Sequence, residues 1–399
     1  MTAAENALGA NSAPDAVSDK RPDATRRALV GRAMLGVPLT LAGAGWATRA
    51  SADTTDAVEP AEAAAARPAS QVSSPAMTGD VIEVPLWPEG QMPGVRNAAR
   101  VAAIGAERVS ASGAIRNVSQ PRLRIYPANP ARRTGMAMLV IAGGGYAHIE
   151  CGHESTPASR WLQSIGITAC ELIYRLPREG WDRTVPLQDG QRAMRLIRAH
   201  AQTLHIEATR LGVMGFSAGG HLAGMTAVTP DIARYAPHDA MDTLPSGAAF
   251  AALLYPVLTL MPPFDKTHTR RSLLGRDDVA DTADAASNRA SVDAPGSPLP
   301  SATGPVTDAA SLQVAIALSV ERHVDAASPP VFLAQATDDP ISPVDNSLLM
   351  YSAMRSAGRP VDLHLFQSGG HGWGMGRPGT EQTLWPALFE AWLKSNRLL

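Results

Sequence analysis

The sequence is short of charge, of aromatic rings and of cysteine. Charged residues are 18% of 399, and 35 Lys+Arg stand against 37 Asp+Glu, a net charge of −2. A chain so balanced has no basic surface for a phosphate backbone or an anionic bilayer, which argues against nucleic acid or membrane as its partner. The N-terminal apolar run, Ala33 to Trp46, is diluted by Gly and Pro and falls below the ~20 residues of a membrane span. Aromatics at 5% supply no evident long apolar channel. The two cysteines, Cys151 and Cys170, permit one disulfide in an exported protein. Cys170, however, lies in the apolar strand pattern Ile167 to Tyr174, which favours a buried free thiol. No internal repeat is evident.

What the first eighty residues do contain is an export pattern. Thr25-Arg26-Arg27-Ala28-Leu29-Val30 fits the twin-arginine type, and Ala50-Ser51-Ala52 supplies an A-x-A cleavage site after the apolar run. The expectation is a signal over 1–52, a mature periplasmic or secreted chain starting near Asp53, and a disordered Ala/Pro/Glu/Ser-rich linker over 53–78.

From Gly79 onward strands and helices alternate. Val81 to Leu86 and Arg122 to Tyr126 read as opening strands. Gly135 to Ile141 is apolar at every position and ends in glycines, the mark of a strand buried on both faces. A helix follows over Ser155 to Ile165, then the Cys170 strand and a helix from about Leu187 to Leu204. Later come an apolar run Phe250 to Leu258, a strand Pro330 to Gln335, a helix from about Asp345 to Ala357, a strand Val361 to Phe366 and a closing helix Leu384 to Leu393. This alternation predicts an α/β domain over 79–399 with a mostly parallel sheet covered on both faces. One stretch, about 277–309, is rich in Ala, Asp, Ser and Pro, and reads as a low-complexity insertion, disordered in preference to a lid.

The chemistry gathers around Val213-Met214-Gly215-Phe216-Ser217-Ala218-Gly219-Gly220-His221, a strand running through Gly-x-Ser-x-Gly into a helix. This is the nucleophile-elbow pattern. The serine sits on a strained turn, so residues two positions away must be small, and the helix amides point at developing negative charge. Such a serine needs an acid and a histidine later in the chain. Thr337-Asp338-Asp339-Pro340 ends one predicted strand and His371 follows the last, inside Ser368-Gly369-Gly370-His371-Gly372. Of the two aspartates, Asp339 is preferred to Asp338, because Pro340 holds it extended where the chain leaves the sheet. Gly143-Gly144-Gly145-Tyr146 follows the first buried strand and supplies unhindered amides for an oxyanion. That loop spells neither G-x-G-x-x-G nor G-x-x-x-x-G-K-[ST], so it does not read as a phosphate cradle.

His148, Cys151, His153 and Glu154 fall within seven residues and have the chemistry of zinc ligands. Their spacing matches no closed four-ligand pattern, so they read as a site rim or structural loop, with no metal expected. His221, behind the elbow glycines, reads as a hydrogen-bonded structural histidine.

Several motifs recur in one order: Ala142 to Tyr146, Tyr174-Arg175-Leu176-Pro177, Leu187 to Ala193, Met214 to His221, Pro329 to Phe332, and Asp339-Pro340 through Val344 to Ser347. Together they resemble the bacterial acetyl-xylan-esterase and feruloyl-esterase-like branch of the α/β-hydrolases over roughly Val81 to Leu393. The resemblance implies an α/β-hydrolase fold and a serine esterase with Ser217, Asp339 and His371 as triad. It implies oxyanion amides from Gly144 or Gly145 and from Ala218, and no cofactor. The implied partner is a small or oligosaccharide ester, with acetyl or feruloyl groups on xylan. Tyr146 and Trp373 are expected near the site as sugar- or ring-stacking surfaces. A peptidase or amidase of the same fold, or a carbohydrate-binding protein with a non-functional triad, are the alternatives.

Overall fold

The structure, a computed structural model, describes residues 81–177, 180–274 and 309–399. The export signal and linker expected over 1–52 and 53–78 lie outside the described residues, as does the insertion expected at about 277–309 except Ala309. The first part of the domain carries β1 (Ile82–Pro85), α1 (Ala98–Ala102), a small hairpin of β2 (Arg108–Val109) and β3 (Ile115–Arg116), and β4 (Arg122–Tyr126). β5 (Ala137–Ile141), α2 (Ser155–Ser164), β6 (Thr168–Ile173), α3 (Val185–Ala199), β7 (Leu211–Phe216) and α4 (Ala218–Val228) follow. The remainder is β8 (Ala251–Leu254), α5 (His268–Leu274), α6 (Ala309–Ala317), β9 (Val331–Ala336), α7 (Asp345–Ser356), β10 (Val361–Phe366) and α8 (Trp385–Ser395).

One sheet runs β1-β4-β6-β5-β7-β8-β9-β10. The pairs β1–β4 and β4–β6 are antiparallel, and every pair from β6 to β10 is parallel. This is the α/β architecture that the alternation predicts. The physical reason is clearest in β5, whose five residues are all buried. Period-two alternation sends Ala137, Leu139 and Ile141 into one core and Met138 and Val140 into the other. The first core is closed by α3, α4 and α7 through residues such as Met194, Leu222 and Met350. The second is closed by α2 and α8, whose Leu162, Trp385 and Phe389 pack on the opposite face.

Local chemistry sets the helix ends. The α3 helix begins two residues before Leu187, because Pro186 fits the first turn, where a missing amide costs nothing. Just before it, Arg175 at the end of β6 meets Asp189 of α3 at 2.7 Å, both side chains fully buried, and Trp87 Nε1 donates to the same carboxylate. The motif pieces Tyr174-Arg175 and Gln188-Asp189 therefore lock the helix to the sheet.

The chain leaves β5, builds β6 on one side, and returns to build β7 on the other. That reversal opens a crevice at the carboxyl ends of β5 and β7, where parallel sheets place ligands.

Candidate active site

Ser217 stands between β7 and α4 with φ 52° and ψ −120°, a conformation that a non-glycine residue holds only under constraint. The constraint is close packing. A Cβ on Gly215 would strike the carbonyl of Gly219, and one on Gly219 would strike the carbonyls of Ile141 and Ala142. The elbow therefore needs glycine at both places for approach. The amide of Ala218 is the first of α4 and has no partner within the helix.

His371 Nε2 lies 2.7 Å from Ser217 Oγ, and His371 Nδ1 lies 2.7 Å from Asp339 Oδ2. A carboxylate only accepts, so Nδ1 carries the hydrogen and Nε2 offers its lone pair to the serine hydroxyl. Asp339 is held in turn by the amides of Ile341 and Ser342, each 2.8 Å from Oδ1. Its side chain is fully buried, while the imidazole is partly exposed. Gly370 and Gly372, at φ 61° and 68°, let the loop turn the histidine back over the sheet. Asp338 takes a different part. It is exposed, and its carboxylate accepts the Gly370 amide, which holds its pKa below the ordinary aspartate value.

The Gly143-Gly144-Gly145 loop follows β5 beside the elbow. A Cβ on Gly143 would come within 2.7 Å of Ser217 Cβ, so the loop passes directly over the serine. The Gly143 amide is already taken, donating to Glu154 Oε2 at 2.6 Å. The amides of Gly144 and Gly145 donate to no described backbone group, and both glycines have positive φ. With Ala218 they are the amides free to meet an oxyanion.

Tyr146 and Trp373 do not present the open stacking surfaces expected of them. Each is about 1% exposed. The Tyr146 hydroxyl donates to His221 Nδ1 at 2.8 Å, and its ring packs edge-on against Tyr174. Trp373 packs against Tyr255 at 4.5 Å and against Phe366 at 6.0 Å between centroids. Nearness in sequence to Gly145 and His371 brought each backbone to the site, but the side chains turn into the core.

His221 is fully buried, and its Nε2 donates to the Leu318 carbonyl at 2.7 Å. Burial lowers its pKa to about 4, so it is neutral and links the glycine loop to the segment after α6. The four residues with zinc-ligand chemistry go to separate partners. His148 pairs with Glu150, His153 Nε2 donates to the Gly372 carbonyl at 2.7 Å, Glu154 serves Gly143, and Cys151 is buried. No metal-holding group of three such side chains occurs among the described residues. Cys151 and Cys170 are both free.

Sequence reading missed Tyr255. It follows β8 with φ 35°, sets its ring edge-on to His371 at 5.0 Å between centroids, and joins Glu154 to the histidine loop through its hydroxyl. Its only signal was membership of the apolar run Phe250 to Leu258.

A family model for the alpha/beta hydrolase fold matches residues 138–375. An acetylxylan esterase of Xylanibacter ruminicola is 31% identical over 251 residues, 63% of this chain and 43% of that protein. The endo-1,4-beta-xylanase B of Butyrivibrio fibrisolvens is 29% identical over 62% of this chain and 35% of its own. The chain thus spans less than half the length of these two curated relatives. Among solved structures, an acetyl ester-xyloside bifunctional hydrolase from Caldicellulosiruptor lactoaceticus has a TM-score of 0.61 at 28% identity, covering 80% of this chain and 97% of that one.

Proposed function

The chain belongs to the alpha/beta hydrolase fold family, and from that membership we propose that it is a carboxylic ester hydrolase working through Ser217, His371 and Asp339. The observation that carries this reading is the pair of 2.7 Å hydrogen bonds in series from Ser217 through His371 to Asp339. Ser217 Oγ attacks the ester carbonyl carbon while His371 Nε2 takes its proton. Asp339 holds the tautomer and stabilises the imidazolium. The carbonyl oxygen, now negative, accepts from the amides of Gly144, Gly145 and Ala218. His371 returns the proton to the leaving alcohol oxygen, and the acyl group stays on Ser217. Water, deprotonated by the same nitrogen, then attacks the acyl carbon, and the acid leaves as the bond to Ser217 Oγ breaks and His371 returns the proton to that oxygen.

The substrate we propose is a short acyl ester, an acetyl or feruloyl group on a plant polysaccharide such as xylan. By their names, the Xylanibacter ruminicola relative is an esterase of acetylxylan and the Caldicellulosiruptor lactoaceticus structure a bifunctional acetyl ester and xyloside hydrolase, which supports this class. The test is a p-nitrophenyl ester series together with acetylated xylan. We expect kcat/KM to fall steeply from acetyl to octanoyl and acetate to be released from xylan. A maximum at octanoyl or beyond would sink the short-acyl assignment, and faster turnover of amides than esters would move the enzyme to the amidases.

We further propose export by the twin-arginine route with cleavage after Ala52, on the strength of Arg26-Arg27 and Ala50-Ser51-Ala52. Replacing Arg26-Arg27 with Lys-Lys should block export, and N-terminal sequencing should find Asp53 first. Exported protein that retains Arg26-Arg27 would reject the cleavage.

A further inference from the structure

The residue that the proposed mechanism leaves unused is Glu154, the residue before α2, 3% exposed beneath the glycine loop. Its Oε2 accepts the Gly143 amide at 2.6 Å, and its Oε1 accepts the Tyr255 hydroxyl at 3.0 Å. That hydroxyl in turn accepts the Gly374 amide at 3.0 Å. The series Gly143, Glu154, Tyr255, Gly374 thus runs from the oxyanion loop to the histidine loop, and the Tyr255 ring lies against His371 along the way. No Lys or Arg among the described residues forms an ion pair with Glu154.

We propose that Glu154 is a positioning residue, its carboxylate clamping the oxyanion loop to the histidine loop and setting a second negative charge near the imidazolium that forms on His371. This rests on the reading of Ser217, His371 and Asp339 as an esterase triad.

Two lines of physical reasoning support a role for the charge beyond the shape. Both hydrogen bonds come from groups that donate, the Gly143 amide and the Tyr255 hydroxyl, and an ionised carboxylate accepts both. Burying such a group without a cation is costly, and a glutamine fills the same volume and accepts the same Gly143 amide. Burial raises the carboxyl pKa above its ordinary value, and the Gly143 amide and then the charge of His371 offset only part of that rise. Other charged or titratable groups face this junction, the Cys151 thiol and the Tyr174 hydroxyl toward Glu154 among them. Asp339 faces Nδ1, Glu150 is a like charge on the loop of Glu154, His153 bonds the Gly372 carbonyl, Asp338 bonds the Gly370 amide, and the Arg377 guanidinium donates to the His371 carbonyl.

The test compares wild type with Glu154→Gln and Tyr255→Phe in the full chain. It reads kcat, KM and the acid limb of the kcat/KM–pH profile on p-nitrophenyl acetate, and the rate at which a fluorophosphonate labels Ser217. In Glu154→Gln we expect kcat and labelling rate to fall about 10–100-fold, KM to stay within about twofold, and the acid limb to move to lower pH. Tyr255→Phe keeps the charge and breaks the clamp, so kcat should fall with the limb in place. Rates and limb equal to wild type in Glu154→Gln overturn the proposal, and so does a rate loss with an unmoved limb, which packing alone would produce. Should Glu154→Gln fail to fold, an unchanged kcat in Tyr255→Phe overturns it. A wild type that neither hydrolyses esters nor is labelled at Ser217 would instead sink the esterase reading.

Discussion

Asp339 Oδ2 sits 2.7 Å from His371 Nδ1, while the adjacent Asp338 accepts the amide of Gly370 at 2.8 Å. Two neighbouring carboxylates thus hold the same loop, one by its imidazole and one by its backbone. Only Asp339 can set the tautomer. Asp339→Asn should lower kcat by ~10⁴, while Asp338→Asn should cost less than ~10-fold. Ser217→Ala should cost ~10⁴–10⁶ and leave the fold intact. Steady-state kinetics of the three variants checks this, and the reverse order of the two asparagine variants would move the acid to Asp338.

Gly143 is constrained by approach alone, since its φ is not among the positive ones. A Cβ there would meet Phe216 O and Ser217 Cβ, each at 2.7 Å. Gly143→Ala should push the oxyanion loop off the serine, lower kcat by ~10²–10³ and cost about 1–3 kcal/mol of stability. Gly379→Ala is the contrast. Gly379 has φ 83° and no atom within 4 Å of the added carbon, so about 1 kcal/mol of strain is expected with unchanged kcat. Equal kcat losses in the two variants would refute the packing argument.

His221 makes stability depend on pH. Its pKa is depressed to about 4 in the fold from the ordinary 6.5 by full burial. Below 6.5 the unfolded chain binds a proton that the folded chain refuses. The contribution is therefore present in full above the unfolded pKa and is lost as pH falls toward the folded one. Over that window the loss is about 3 kcal/mol. Denaturant titrations at neutral pH and at the acid end should find the loss smaller by that amount in His221→Gln, whatever its stability at neutral pH. Parallel pH curves for the two proteins would dismiss the role of His221.

How much of this was legible in the sequence depended on whether the signal was local. β4 runs over Arg122–Tyr126, as expected, and β10 over Val361–Phe366, because strand patterning is written in consecutive residues. The region Phe250 to Leu258 was less legible. The strand there ends at Leu254, since Tyr255 turns to positive φ where the chain enters the site. Nothing local marks that hydroxyl as the link between Glu154 and Gly374, which lie 101 and 119 residues away. The elbow serine and the histidine loop were visible because glycines flank them. The inward turn of Tyr146 was not, because its partner His221 is 75 residues distant. Adjacency to a functional loop says where a backbone goes and leaves the direction of its side chain to the core.

The two thiols carry a consequence for the life history of the chain. Cys151 and Cys170 are its only cysteines, both reduced and both buried. Burial pushes Cys170 up to about 12 and Cys151 up as well, so neither forms the thiolate that would attack or be oxidised. The core therefore closes without a disulfide between them. Folding then needs no change of redox compartment, and under the twin-arginine export proposed above the cargo would be a finished, folded domain.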